Sequence, residues 1–201
     1  MSDTAARLTL PNLITLARLV LIPVFVAVFY LPYRWAPLAA AAIFLLAGLT
    51  DMLDGYLARR LNQTSRFGAF LDPVADKLMV AAALVLLVQA HATIWLAVPA
   101  LVIISREITV SALREWMAEI GQRARVAVSS IGKIKTVLQI SAITGLLASR
   151  PLQDAQGDLL MTPFHWLTYS LLYAATFLTL WSMFSYLRAA WPELWPSRQQ
   201  R

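Results

Sequence analysis

Residues 78–105 read LMVAAALVLLVQAHATIWLAVPALVIIS, with His91 the only titratable side chain among them. A helix crossing the hydrocarbon core needs about 20 mostly apolar residues. This stretch is too long for one such crossing and suits two. Gln89, His91 and Thr93 make a polar cluster near its middle, where a turn belongs. The reading is a hairpin of two membrane helices, and with it a polytopic membrane protein.

The rest of the chain agrees. Of its 201 residues 59% are hydrophobic and 14% charged, whereas soluble domains are about half apolar and about a quarter charged. The mean hydropathy is +0.64. Such a composition excludes a disordered chain, a solenoid of polar repeats and an ordinary water-soluble enzyme. Further apolar blocks lie on both sides of the hairpin. The expected spans are roughly 11–31, 35–59, 73–90, 93–113, 131–149 and 163–188. The fold class is therefore all-α, with six transmembrane helices in a single domain over 1–201. The first block is long for a signal-peptide core, and no small-residue cleavage site follows it, so it reads as a retained span. There is no cysteine, which removes thiol nucleophiles, disulfides and Cys-based metal sites.

Lys and Arg in short loops set the orientation of such a protein. Arg7, Arg59, Arg60, Arg66, Arg114, Arg123, Arg125, Lys133, Arg188, Arg198 and Arg201 fall on the side shared by both termini; the opposite loops hold Arg34 and Arg150. Both termini and the long polar loops are thus expected in the cytoplasm, and the loops near His91 and near Asp154 and Asp158 outside. Trp35, Trp95, Trp166, Trp181 and Trp191 suit interfacial anchors. His91 and His165 are expected in loops or at the interface. The net charge of +6 fits anionic lipid head groups better than nucleic acid, because the basic residues flank apolar blocks.

Four carboxylates stand at the cytoplasmic edge. Asp51 and Asp54 close the second span at i, i+3, and Asp72 and Asp76 open the third at i, i+4. Each spacing puts its pair on one helix face. Antiparallel neighbours would bring all four together, where they repel one another and lose hydration. Hard divalent cations, Mg²⁺ or Mn²⁺, answer both costs. A pair of such ions would make a site for attack on a phosphoryl group. Gly55 and Ala58 continue the Asp51 and Asp54 face almost without side chains, which suits a ligand lying on the backbone or, equally, close helix packing. Arg59 fits a bidentate phosphate contact or a cytoplasmic anchor. Gly68 suits a turn or a close ligand approach. Asp72 before Pro73 also reads as an N-cap with proline at the first helical position.

These residues match the pattern D-x2-D-G-x2-A-R-x8-G-x3-D-x3-D at every fixed position: Asp51, Asp54, Gly55, Ala58, Arg59, Gly68, Asp72 and Asp76. Eight fixed positions at roughly 1 in 20 each give a chance match of order 10⁻¹⁰ per start. The pattern resembles that of the CDP-alcohol phosphatidyltransferases. The likeness extends over roughly residues 8–186. It includes the opening around Pro11, Asn12, Thr15 and Arg18, the stretches 66–77 and 105–116, and Gly132-Lys133-Ile134-Lys135-Thr136.

The resemblance implies six helices around a polar cavity open to the cytoplasm, and two chains paired as a homodimer in a bacterial inner membrane. It implies that Asp51, Asp54, Asp72 and Asp76 hold two Mg²⁺ or Mn²⁺ ions, and that Asp76 also takes the proton of the attacking hydroxyl. Asp54, Gly55, Ala58, Arg59, Ser65 and Gly68 would meet the CDP part, with Asn12 and Thr15 closing the pocket. The implied reaction moves the phosphatidyl group of CDP-diacylglycerol to sn-glycerol 3-phosphate and releases CMP. An acceptor that carries a phosphate needs a second cationic site, for which Arg106, Arg114, Lys133 and Lys135 are available. Arg106 stands out, because a charge ending a long apolar run is costly without a task. Its alternatives are a helix-end ion pair with Glu107 or a lipid contact. Rival readings are another acceptor alcohol (serine, inositol phosphate or phosphatidylglycerol) and a cation transporter. The transporter predicts polar residues at mid-membrane depth in several helices.

Overall fold

The structure is a computed structural model. It describes residues 10–61, 66–122, 130–149, 152–153, 159–160 and 162–194, with side chains at 13–50, 71, 73–122, 134–149 and 162–194. Six helices follow one another: α1 Leu10–Phe29, α2 Ala36–Leu61, α3 Arg66–His91, α4 Ile94–Glu119, α5 Ser130–Ala148 and α6 Pro163–Leu194. In the connection between α5 and α6, β1 Leu152–Gln153 and β2 Leu159–Leu160 pair antiparallel, Leu152 opposite Leu160. This small ladder is the only departure from helix among the described elements.

The hairpin inside 78–105 turns where the polar cluster lies. Ala92 takes a positive φ of 47°, and its N–H reaches the Val88 carbonyl at 2.9 Å. Thr93 is extended, and its hydroxyl accepts from the Trp95 N–H at 3.4 Å as the N-cap of α4. A threonine there satisfies one of the donors that a helix start leaves open.

Three helix ends differ from the hydropathy boundaries. α3 begins at Arg66, so Pro73 lies inside it and is not its first residue. Proline's fixed φ is already helical, but inside the helix it forgoes the bond to the Ala69 carbonyl and its ring crowds that carbonyl. The N-cap reading of Asp72 is thereby corrected. α4 runs on to Glu119, past 113. Leu113 and Met117, one turn apart, bury against Ala190 of α6, with Trp116, Tyr186 and Leu187 alongside. The stop comes at Gly121, whose φ of 76° ends the helix in the left-handed turn that glycine permits. α6 likewise extends to Leu194. Apolar length measures the hydrocarbon; packing and caps decide where a helix ends.

The core gathers small and large side chains from five helices and the start of α6. Phe25, Ala40, Phe44, Ala47, Ala83, Leu84, Leu87, Ile103, Ile143 and Leu172 are all within it. The alanines let backbones approach closely, the means by which helices associate in lipid. α5 packs on α6 and α2, α1 on α2 and α3, and α4 on α6 and α3. Outward-facing Val20, Leu46, Val85, Leu101, Phe177 and Phe184 are exposed, as an apolar solvent requires. Pro73–His91, Ile94–Glu119 and Pro163–Leu194 are each long and apolar enough to cross a membrane. The described apolar parts of α1, α2 and α5 are shorter, at Leu13–Phe29, Ala36–Thr50 and Ile134–Ala148.

Candidate active site

Asp76 lies in α3, and its carboxylate accepts a hydrogen bond from the Arg18 guanidinium of α1 at 2.5 Å. Arg18 is 1% exposed, whereas the Asp76 side chain is 39% exposed. The carboxylate thus opens onto a cavity of about 300 Å³. Its polar lining is Arg18 from α1, Asp76 and Lys77 from α3, Glu107 from α4, and Lys135, Thr136 and Gln139 from α5. Phe44, Ala47 and Gly48 of α2 supply an apolar wall, with little bulk at Ala47 and Gly48. A Cβ on Gly48 would come no closer than 3.5 Å to Ile140.

Three cations, Arg18, Lys77 and Lys135, face two carboxylates in this lining. Lys77 turns its ammonium back to the Pro73 carbonyl at 3.0 Å. Lys135 is buried and donates to Glu107. Among the described lining residues these cations suit an anionic guest, and the room beside Asp76 suits a further ligand of that carboxylate.

Arg106 faces elsewhere. It donates to Glu107 at 3.2 Å and to the Ser182 hydroxyl of α6 at 2.5 Å. Its guanidinium lies 5.6 Å from the centre of the Tyr186 ring. It is buried, and it is absent from the cavity lining. Glu107 therefore bridges the cavity cation Lys135 and the α4–α6 contact made by Arg106. Arg114 is exposed, farther along α4.

The backbones of Asp51, Asp54, Gly55, Ala58 and Arg59 run in the last turns of α2, and those of Gly68 and Asp72 in α3 ahead of Asp76. Their side chains lie outside the described residues, as do those of Asn12 and Lys133; Ser65 lies outside altogether. Thr15 is buried in α1 one turn before Arg18. Arg18, Glu107 and Gln139 are cavity residues that the sequence did not single out as such. Each had a signal. Arg18 is a lone charge within an apolar block, and Gln139 follows Lys135 at i, i+4, on the same helix face.

His91 and His165, expected in loops or at the interface, stand at helix ends, His91 closing α3 and His165 in the first turn of α6, and both are buried. His91 Nδ1 meets the Tyr169 hydroxyl at 3.2 Å, and His165 Nδ1 meets the Thr162 hydroxyl at 2.7 Å. Along α3, His91 is fifteen residues from Asp76, about 22 Å at the helical rise. They form a structural cluster at the far end of the bundle.

The family model for CDP-alcohol phosphatidyltransferases matches residues 8–182. This chain belongs to the CDP-alcohol phosphatidyltransferase family. It is also similar to curated relatives named CDP-diacylglycerol–glycerol-3-phosphate 3-phosphatidyltransferase. One, from Yersinia pestis (strain Pestoides F), is 54% identical over 188 residues, covering 94% of this chain and 98% of that protein. One from Pseudomonas fluorescens is 55% identical over 188 residues, covering 93% and 92%. One from Sodalis glossinidius (strain morsitans) is 54% identical over 184 residues, covering 92% and 96%. The long apolar helices and the membership of this phosphatidyltransferase family make the chain a membrane protein. Within the family's pattern, the last aspartate is Asp76, the carboxylate that opens onto the cavity.

Proposed function

We propose that this phosphatidyltransferase transfers the phosphatidyl group of CDP-diacylglycerol to sn-glycerol 3-phosphate, giving phosphatidylglycerophosphate and CMP. The observation that carries the reading is the unbroken aspartate pattern in a chain 54% identical, nearly end to end, to relatives named for that reaction.

Four carboxylates, Asp51, Asp54, Asp72 and Asp76, form the expected donor set for two divalent ions. Their hard oxygens fit Mg²⁺ or Mn²⁺. The cation already beside Asp76, a buried guanidinium with an open cavity next to it, marks a position where positive charge is needed. Bound there, the ions would neutralise the pyrophosphate and acidify the attacking hydroxyl. Asp76 accepts the proton of the glycerol hydroxyl as its oxygen bonds to phosphorus and the bond to the CMP oxygen breaks. Gly55, Ala58, Arg59 and Gly68, with Asp54, Ser65, Asn12 and Thr15, form the expected CDP contacts.

Lys135 is the acceptor-phosphate cation best supported, because it lines the cavity that Asp76 faces. Lys133 stays a candidate by sequence. Arg106 acts through Glu107, and Arg114 is assigned no contact. The Lys and Arg distribution supports cytoplasmic termini and a cytoplasmic opening in a multi-pass inner-membrane protein. The likeness to the family supports a homodimer, surrounded by membrane lipid.

The test is CMP release by the purified protein in detergent with CDP-diacylglycerol and Mg²⁺. Release that requires sn-glycerol 3-phosphate and stops with chelator is the expected result. Release with serine or inositol phosphate instead would overturn the acceptor, and no release with any alcohol from folded protein would overturn the reading.

A further inference from the structure

Arg18 lies in an apolar segment of α1 and is 1% exposed, yet it carries a charge that protonation changes cannot remove. A permanent charge in such a position is expensive unless an anion answers it. Asp76, on a different helix, is such an anion, held at 2.5 Å through Oδ1. That carboxylate remains 39% exposed, so its site is reachable from the cavity while the guanidinium already sits on it.

We propose that Arg18 is a resident counter-cation of the aspartate site, competing with divalent metal for Asp76. The inference rests on the metal-dependent reading above. Without metal, the guanidinium compensates the carboxylate charge and ties α1 to α3. A dication ligated by Asp76 repels a neighbouring guanidinium, so loading metal draws Arg18 off the carboxylate. The N–H groups released from Asp76 can then turn to a phosphate oxygen of the nucleotide in the cavity. Metal and nucleotide binding thereby favour each other through one side chain, and such coupling is reciprocal. Arg18 acts through Asp76 and is a positioning residue.

The experiment titrates the purified full chain in detergent with Mn²⁺, following free Mn²⁺ by electron paramagnetic resonance, with and without CDP. If the ion pair is closed for nine tenths of the metal-free molecules or more, Arg18→Gln binds Mn²⁺ about tenfold more tightly. Its metal-free melting midpoint falls and Mn²⁺ restores part of the loss. CDP tightens Mn²⁺ binding in the unmodified protein and does so less in the variant. Arg18→Lys keeps the charge but loses the planar fork, and is the variant to use if Arg18→Gln does not fold; it binds Mn²⁺ about threefold more tightly. Unchanged or weaker Mn²⁺ binding in these variants, beside an unmodified protein that binds it, overturns the role of Arg18 alone. An unmodified, folded protein that binds no Mn²⁺ overturns the metal reading and this proposal together.

Discussion

Asp76 and Lys135 both face the cavity, but they have different things to lose. Asp76→Asn preserves shape and removes both the charge and the proton acceptor. CMP release should fall by about a thousandfold or more, within the range for a lost general base, while the protein still folds. Lys135→Met removes a buried charge that donates to Glu107. Hydrogen bonds to charged groups contribute about 1.5–3 kcal/mol, so the KM for sn-glycerol 3-phosphate should rise at least about tenfold. From sequence, Arg106→Ala would be the variant that mainly raises this KM. The contacts of Arg106 with Ser182 and Tyr186 reverse that order. Arg106→Ala should chiefly lower the melting midpoint, and Lys135→Met should show the larger KM effect. Steady-state kinetics with the acceptor varied, beside melting curves of both variants, decide it; an equal or larger KM effect from Arg106→Ala would return the acceptor phosphate to Arg106. Asp76 was legible because a pattern of fixed spacings names it. Arg18, Glu107 and Gln139 were not, because a span's residue order does not say which flank of a helix meets the cavity.

The α3–α4 hairpin was legible at the level of elements because its apolar run is too long for one crossing and a polar cluster interrupts it midway. The helix ends were less so. Leu113 and Met117 continue α4 because they find Ala190 on α6, a contact between residues far apart in the chain. The same dependence on a distant partner makes a test at Gly145. Alanine is the better helix former by about 1 kcal/mol, so α5 alone predicts that Gly145→Ala stabilises. Yet a Cβ at Gly145 would lie 2.4 Å from Thr168 Cγ2 of α6, too close for any real contact. Thr168 is buried, with its hydroxyl bound to the His165 carbonyl at 2.9 Å, so it has little freedom to turn away. Overpacking of this kind costs about 1–3 kcal/mol. Gly145→Ala should therefore lower the melting midpoint, and Thr168→Ser, which removes the clashing methyl, should recover much of the loss in the double variant. Additive effects of the two changes would show that the α5–α6 approach is not the cause.

For the whole molecule, the axis of the bundle separates two polar ends of different character. One holds Asp76 with its cations, and the other holds the hydroxyl-bonded pair His91 and His165. The proposed acceptor, sn-glycerol 3-phosphate, and the released CMP are charged, water-soluble molecules of the cytoplasm, so the proposed reaction expects the Asp76 end to face inward. The Lys and Arg bias points the same way. Because the chain has no cysteine, single cysteines can report the orientation without background. Gln199→Cys lies in the C-terminal tail and Gln156→Cys in the connection between α5 and α6. In intact spheroplasts a membrane-impermeant maleimide should label Gln156→Cys at once and leave Gln199→Cys unlabelled until the membrane is opened. Both variants should keep CMP release, since neither position belongs to the site. The reverse labelling pattern would put Asp76 on the side without substrate, and an active enzyme with that pattern would require the expected orientation to be abandoned. Labelling of both positions in intact spheroplasts would put the two ends of α6 on one face, which a helix of 32 residues, about 48 Å long at the helical rise, could reconcile only by lying along the membrane rather than crossing it.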